Sequence, residues 1–248
     1  MSDHDQPLVI RDATQLHHPS TRRGFLRALG VGGAVVLLPS AFAACRETTA
    51  PGADPDVNGA PRPIQAVTLD LATDAGILNY AYALEQLETA FYMTAVEKMY
   101  SGARGDERQV LMDLHDHELI HREFFKAALG ASAIPQLDFN FSSVDFNNRQ
   151  EVLNTARFLE DTGVGAYNGA GRLLKDATFL GLAGKIVSVE ARHASLIRIL
   201  LLPGSELFAG DDVVDNNGLD RKLTPAQVLP TAQGFIKQRL SGMNLPTM

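Results

Sequence analysis

Two short stretches of sequence, Glu118-Leu119-Ile120-His121 and Glu190-Ala191-Arg192-His193, decide the fold predicted for this chain. In each stretch a histidine follows a glutamate by three positions, so on a helix both side chains lie on the same face. Both stretches interrupt apolar seams, where a charged side chain is costly unless it is paired or binds a metal. A single Glu-x-x-His motif is weak evidence, because many such pairs face solvent. Two of them on apolar seams indicate a buried polar site.

Helical periodicity extends outward from these motifs and predicts four helices. Asp74 and Asp176 are predicted N-caps of the first and fourth helices, Gly130 closes the second, and Pro203-Gly204 stops the fourth. The predicted helices span about 74–100, 108–129, 148–174 and 177–202. Strand-like alternation is scarce. We therefore predict an all-α domain.

The lengths of the connections predict the topology. Short turns make the first helix antiparallel to the second and the third antiparallel to the fourth, whereas 131–147 forms a long crossover between the second and third helices. One long crossover of this kind is typical of the ferritin-like arrangement, and we predict a four-helix bundle of this type over 67–203. A C-terminal tail, 204–248, contains a short helix that opens at Thr224-Pro225, and we expect it to pack on the bundle or to cover it.

Four glycines lie inside the predicted third helix, at 163, 165, 169 and 171. A glycine in a helix interior costs about 1 kcal/mol relative to alanine. We therefore expect another part of the chain to approach this helix closely, or the helix to kink.

The four predicted seams carry four carboxylates and two imidazoles where apolar side chains are expected. A cluster of four buried carboxylates would repel itself strongly, and two divalent cations would offset that charge. Carboxylate and imidazole ligands suit iron or manganese, so we predict two iron or two manganese ions per chain. The alternative is a satisfied polar network without metal. The predicted ligands are Glu85, Glu118, His121, Glu160, Glu190 and His193.

The sequence contains an internal repeat that supports a two-fold site. Glu85 and Tyr92 in the first helix have the same spacing as Glu160 and Tyr167 in the third. Each pair precedes one Glu-x-x-His helix. Glu88 lies one turn from Glu85 and is an alternative ligand, but only Glu85 has a counterpart with identical spacing to a tyrosine.

The order Glu, Glu-x-x-His, Glu, Glu-x-x-His over 74–202 resembles that of the ferritin-like di-iron and di-manganese carboxylate proteins. The resemblance implies that Glu118 and Glu190 bridge the two metals and that Glu85 and Glu160 each bind as terminal or capping ligands. It also implies that His121 and His193 each bind one ion. Tyr92 and Tyr167 would then form hydrogen bonds around the ligands, close to the catalytic centre.

Two longer segments, 84–92 and 160–167, resemble sequences of the desiccation-related subgroup of ferritin-like proteins, as does the presence of an N-terminal export signal. The other two histidines after Cys45, His115 and His117, lie off the seam of the second helix. We expect them at the surface or behind the ligands rather than among them.

Composition excludes several classes of function. The 248-residue chain has a net charge of −7, which argues against nucleic-acid binding because phosphates need a basic partner surface. Hydrophobic residues make up 45% of the chain and suffice for a core. The only cysteine is Cys45, so disulfides within the chain and a rubredoxin-type iron site, as in rubrerythrins, are excluded.

The N-terminal segment 1–45 resembles a twin-arginine (Tat) export signal. Arg22 and Arg23 precede Phe25-Leu26, and an uncharged stretch from Ala28 to Ala44 follows. This stretch is short and glycine-rich for a membrane helix, although an uncleaved N-terminal anchor is the alternative. The resemblance implies the Tat translocase as a partner and export of an already folded protein.

The end of this segment allows two kinds of processing. Phe42-Ala43-Ala44-Cys45 resembles a lipobox, in which Cys45 would carry a lipid that anchors the chain to the membrane, although phenylalanine replaces the usual leucine. Alternatively, Ala41-Phe42-Ala43 would suit a signal peptidase. Residues 46–66 are rich in Pro, Gly, Ala and Thr and read as a flexible linker. A periplasmic or membrane-anchored location follows.

We therefore expect an exported di-metal protein that oxidises Fe(II), or reacts with O2 or H2O2, in protection of the cell envelope. Alternatives are a manganese-catalase-like enzyme, an iron-storage cage subunit and a non-enzymatic stress or desiccation protein. The sequence leaves the metal, the electron donor and the oligomeric state open, including a homo-oligomer.

Overall fold

The computed structural model describes residues 65–246 of the chain. It contains four long helices: α1 (Asp74–Lys98), α2 (Gly105–Leu129), α3 (Arg149–Ala170) and α4 (Ala177–Leu201). The predicted four-helix bundle is confirmed. Short turns join α1 to α2 and α3 to α4, and the two hairpins meet along α1 and α3. The long crossover lies between α2 and α3, as the connection lengths predicted.

The start of α1 differs by one residue from the prediction. Thr73, rather than Asp74, is the N-cap, and its hydroxyl accepts a hydrogen bond from Gly76 N at 3.0 Å. Asp74 is the first helical residue, and its carboxylate accepts hydrogen bonds from Lys175 N and Asp176 N, each at 2.9 Å. The residue expected to cap α1 therefore ties α1 to the turn between α3 and α4.

The predicted caps of the other helices agree with the structure, although α2 begins at Gly105, before its predicted start near 108, and α3 ends before its predicted end. Gly130 follows α2 with φ of +51°, a backbone conformation that glycine adopts at little cost. Asn148 caps α3, and Asp176 caps α4 by accepting from Thr178 N at 2.7 Å. The α-helical part of α3 ends at Ala170, and a short 3-10 turn, Gly171–Leu173, takes up the rest of the expected helix.

The crossover covers the outer side of α1 and buries polar side chains there. Leu137 N donates to Gln86 Oε1 at 2.8 Å, and Ile134 N donates to Asn79 Oδ1 at 2.7 Å. Phe146 packs against Phe91 of α1. As a result α1 is buried on most of its circumference, not only along the predicted seam.

Two short strands, which the sequence did not predict, join the ends of the described chain. β1 (Val67–Asp70) pairs in parallel with β2 (Leu240–Met243), and Val67 lies opposite Leu240. Four residues are too few to give a clear alternation signal. The pairing connects the segment before α1 to the end of the tail.

The tail packs on the bundle, which is one of its two expected roles. After a 3-10 turn at Glu206–Ala209 the tail forms α5 (Pro225–Gln233). Thr224 and Gln227 form a capping box at the start of this helix. Arg198 of α4, only 3% exposed, makes two-pronged contacts with Asp161 of α3 and with Asp212 of the tail. This charged contact fixes the tail to both helices.

Two of the α3 glycines allow the tail to cross the helix in close contact. A Cβ at Gly169 would lie 1.8 Å from the carbonyl oxygen of Leu223, and one at Gly165 would lie 2.7 Å from Leu223 Cγ. Leu223 N also donates to Gly165 O at 2.8 Å. The glycines predicted that another part of the chain lies close to this helix, and the tail at Leu223 confirms that prediction.

Within residues 65–246, none of the helices has the length and apolar character needed to span a bilayer.

We predict opposite effects for two Gly→Ala substitutions in helices. Gly169→Ala should lower the free energy of unfolding by about 1–3 kcal/mol, because the backbone of Leu223 must move away from the new methyl group. Gly184→Ala, in an exposed part of α4 with open space around it, should raise it by about 0.5–1 kcal/mol. Chemical denaturation measures both. Equal stabilisation by the two substitutions would contradict the close packing of the tail.

Candidate metal centre

Each long helix contributes side chains to one buried cluster at the centre of the bundle. α1 supplies Glu85 and α3 supplies Glu160, while α2 and α4 supply the two Glu-x-x-His motifs. The carboxylates are 0% exposed, and the two imidazoles are 8% and 4% exposed. The six residues are Glu85, Glu118, His121, Glu160, Glu190 and His193, all of which the sequence singled out.

These residues form two overlapping groups of ligand-type atoms. One group contains Glu85 and His121, the other contains Glu160 and His193, and both contain Glu118 and Glu190. Within each group the candidate ligand atoms all lie within 4.8 Å of one another. Two adjacent cation positions that share two carboxylates are compatible with this arrangement.

The contacts repeat across an approximate two-fold relation. His121 Nδ1 lies 2.7 Å from Glu190 Oε1 and 3.5 Å from Glu85 Oε2. His193 Nδ1 lies 2.7 Å from Glu118 Oε1 and 3.5 Å from Glu160 Oε2. Each imidazole is thus closest to the glutamate of the other Glu-x-x-His helix. The repeat in the sequence becomes a repeat in space.

Several atoms of the cluster make no well-formed hydrogen bond within the described part of the chain, although each imidazole Nδ1 lies 2.7 Å from a carboxylate oxygen. Such atoms are costly to bury, and four carboxylates that converge on two imidazoles still repel one another. A cation between them would remove both penalties, and a mixed carboxylate and imidazole set suits iron or manganese. The cluster therefore fits a di-metal centre. The atoms without a well-formed hydrogen bond are Glu85 Oε2, both oxygens of Glu118, His121 Nδ1, Glu160 Oε2 and Glu190 Oε1.

The two predicted tyrosines each form a hydrogen bond with the glutamate of the other helix, α1 or α3. Tyr92 of α1 donates its hydroxyl hydrogen to Glu160 Oε1 of α3 at 2.6 Å. Tyr167 of α3 donates to Glu85 Oε1 of α1. Each carboxylate has one oxygen bound by a tyrosine and the other directed at the cluster. The sequence predicted the tyrosines as hydrogen-bond partners of the ligands. Only the packing of α1 against α3 shows that each tyrosine bonds the glutamate of the other helix.

Glu88, the alternative to Glu85, lies outside both groups. It is 3% exposed, and its Oε1 would be 3.0 Å from a Cβ placed at Gly163. Gly163 thus leaves room for the Glu88 carboxyl group between α1 and α3. Burial, together with the charge of the nearby Glu118, raises the pKa of Glu88 well above its usual value.

The two off-seam histidines of α2 have different surroundings. His115 lies beside Asp116, with His115 Nδ1 3.2 Å from Asp116 Oδ1. His117 lies behind the cluster, where its Nδ1 is 2.8 Å from His193 Nε2. One of the two is therefore at the surface and the other behind a candidate ligand.

The charges of the metal-free cluster are strongly coupled. Burial raises the pKa of Glu160 to about 8, although the charge of His193 opposes the shift. Burial would raise the pKa of Glu118, but its interactions with His121 and His193 outweigh burial and hold that pKa well below the usual range. Burial would lower the pKa of His193, but the charge of Glu160 and the contact with Glu118 raise it. Without metal the cluster therefore retains protons that a cation would displace.

The family model for the ferritin-like domain matches residues 73–203, which is more than half of the chain. The chain belongs to this family. The matched range contains all six cluster residues of this ferritin-like chain. No curated protein sequence matches it. Assignment to the desiccation-related subgroup stays a prediction.

Three predicted site residues, Arg22, Arg23 and Cys45, lie outside the described residues. The export and lipid-attachment predictions therefore stay predictions.

We predict that the metal-free protein loses stability as pH rises from 4.5 to 8. The pKa of Glu160 is about 8 in the folded state and near 4.5 when unfolded, so over this window the folded state binds more protons and stability falls. The raised pKa of His193 acts in the same direction above pH 6.5. Glu160→Gln should flatten the slope. Denaturant titrations across this range measure it, and stability that rises with pH would contradict the prediction.

Proposed function

We propose that the chain binds two iron or two manganese ions and uses them in reactions with O2 or H2O2, including oxidation of Fe(II). One observation carries this proposal: buried carboxylates of all four helices converge on only two imidazoles, and several of their oxygens make no well-formed hydrogen bond within the described chain. A polar network that folds without metal would be expected to satisfy each of these atoms with a well-formed hydrogen bond.

The geometry supports a definite set of ligands. Glu85 and His121 would bind one ion, and Glu160 and His193 would bind the other. Glu118 and Glu190 would bridge the two, because each belongs to both groups of ligand-type atoms. A pair of redox-active ions supplies electrons to dioxygen or peroxide when it is bound.

The chain's own residues would prepare the site for this chemistry. Tyr92 and Tyr167 fix one oxygen of Glu160 and of Glu85, so the other oxygen of each is directed inward. Apolar side chains along the seams, including Leu114, Phe125 and Ile197, are almost fully buried and limit the access of water. Such exclusion of solvent strengthens the electrostatic interactions inside the site.

A manganese-catalase-like reaction is the second candidate. The same carboxylate and imidazole set can hold manganese, so the metal that is loaded would select between Fe(II) oxidation and decomposition of peroxide. The third candidate, a non-enzymatic stress protein, would need the buried oxygens to be stable without redox metal.

We also propose that the chain reaches the envelope folded, through the Tat translocase. Support comes from the sequence alone: Arg22-Arg23, the short uncharged stretch 28–44 and Cys45. A centre built from all four helices exists only after folding, so export in the folded state would permit metal loading in the cytoplasm. A lipid on Cys45 would then leave the chain anchored at the outer side of the cytoplasmic membrane.

We expect protein purified from its native host to contain about two iron or manganese ions per chain. Replacing both bridging residues, as Glu118→Ala with Glu190→Ala, should abolish that content, because each residue belongs to both cation positions. Glu97→Ala, an exposed glutamate of α1, is the matched control and should retain the metal. Elemental analysis gives the measurement. A metal-free native protein of full stability would overturn the proposed function.

The reaction can be assigned with an oxygen electrode. Fe(II) oxidation should consume O2 when Fe(II) is added to the protein, whereas a catalase-like reaction should release O2 when H2O2 is added. The doubly substituted Glu118→Ala, Glu190→Ala protein should do neither. A metal-loaded protein that is inert in both assays would support the non-enzymatic alternative.

A further inference from the structure

The two Glu-x-x-His motifs differ in the residue that directly precedes the glutamate. His117 directly precedes Glu118 in α2, and Val189 directly precedes Glu190 in α4. These two positions correspond in the repeat of the Glu-x-x-His motifs. One motif therefore has an imidazole at the sequence position where the other has an aliphatic side chain.

The imidazole of His117 contacts the candidate ligand His193 on the side of that ring away from the cluster. His117 Nδ1 lies 2.8 Å from His193 Nε2, and the two rings are nearly parallel, at 11°, with centroids 5.0 Å apart. The other ring nitrogen of His193, Nδ1, lies 2.7 Å from Glu118 Oε1 and 3.1 Å from Glu190 Oε2. His193 thus directs one nitrogen at the cluster and the other at His117.

This arrangement suits a metal-binding histidine. A neutral imidazole that binds a cation through Nδ1 carries its hydrogen on Nε2, and that hydrogen needs an acceptor. His117 Nδ1 lies at the correct distance to accept it. Such an outer hydrogen bond fixes the tautomer, holds the ring orientation and makes the ligand more basic.

We propose that His117 is a positioning residue for one metal position only, the one formed by Glu160 and His193. The two metal positions are therefore unequal despite their nearly identical ligand sets. The inference rests on the proposed function, because it concerns how the two ions are held. Loss of the outer partner of a metal-binding histidine lowers metal affinity about 10- to 100-fold.

The test is a titration of the metal-free full-length protein with Mn²⁺, followed by the electron paramagnetic resonance of free Mn²⁺. His117→Ala should bind one ion with unchanged affinity and the other about 10- to 100-fold more weakly. His117→Gln should restore much of the loss, because the amide oxygen can accept the same hydrogen bond. His115→Ala, a histidine on the same helix beside Asp116, should bind both ions as the wild type does.

Two further backgrounds identify which ion is weakened. In Glu85→Ala, the remaining ion depends on His193, so adding His117→Ala should weaken it. In Glu160→Ala, the remaining ion depends on His121, so the same change should have no effect. Equal weakening in both backgrounds would mean that His117 acts through the general stability of the bundle, and the inference would fail.

The wild-type titration separates the inference from the proposed function. If the wild type binds no Mn²⁺ and no Fe²⁺, the di-metal function itself fails. If the wild type binds two Mn²⁺ ions and His117→Ala binds both unchanged, the function stands and only the unequal positions are wrong. Circular dichroism of the metal-free variants shows whether each retains the helical fold.

Discussion

The mutual repulsion of four buried carboxylates is the constraint on which the rest of this structure depends. Glu85, Glu118, Glu160 and Glu190 lie at the centre of the bundle with no exposed surface. Bare charges at such distances in a dry interior would oppose folding. Protons retained on the cluster reduce that cost in the metal-free chain, and two cations would replace them. The site therefore links the stability of the ferritin-like bundle to its ligand state.

The helices around the cluster show how the fold holds these charges in place. α1 and α3 exchange hydrogen bonds through Tyr92 and Tyr167, so neither outer carboxylate can turn away without losing its donor. The crossover satisfies the polar side chains on the outer side of α1, and the tail covers α3 at its glycines. Both coverings bury the central helices further, which makes the interior drier and the charges there more dependent on their partners.

A repeat in sequence need not give a symmetric site. The two hairpins place equivalent ligands at equivalent distances, yet His117 and Val189 differ at one corresponding position. A residue directly beside a ligand in the sequence can lie behind the ligand of another helix in space. Here His117 of α2 reaches His193 of α4, not the histidine of its own motif. In this way two candidate metal positions with similar ligand-type residues can differ in their surroundings.

The sequence by itself determined the helices, their order and the six residues that meet at the centre. Each helix has apolar and site residues spaced three to four positions apart within one segment of the chain, so local spacing predicts the helix and the face on which its site residues lie. Only the tertiary structure decided which partners meet: the crosswise tyrosines, His117 with His193, Arg198 with the tail, and β1 with β2. The tertiary structure also shows that Thr73, and not the predicted Asp74, is the N-cap of α1. The carboxylate of Asp74 instead accepts hydrogen bonds from the turn before α4. Contacts between segments far apart in the sequence leave no local period, since packing alone brings them together.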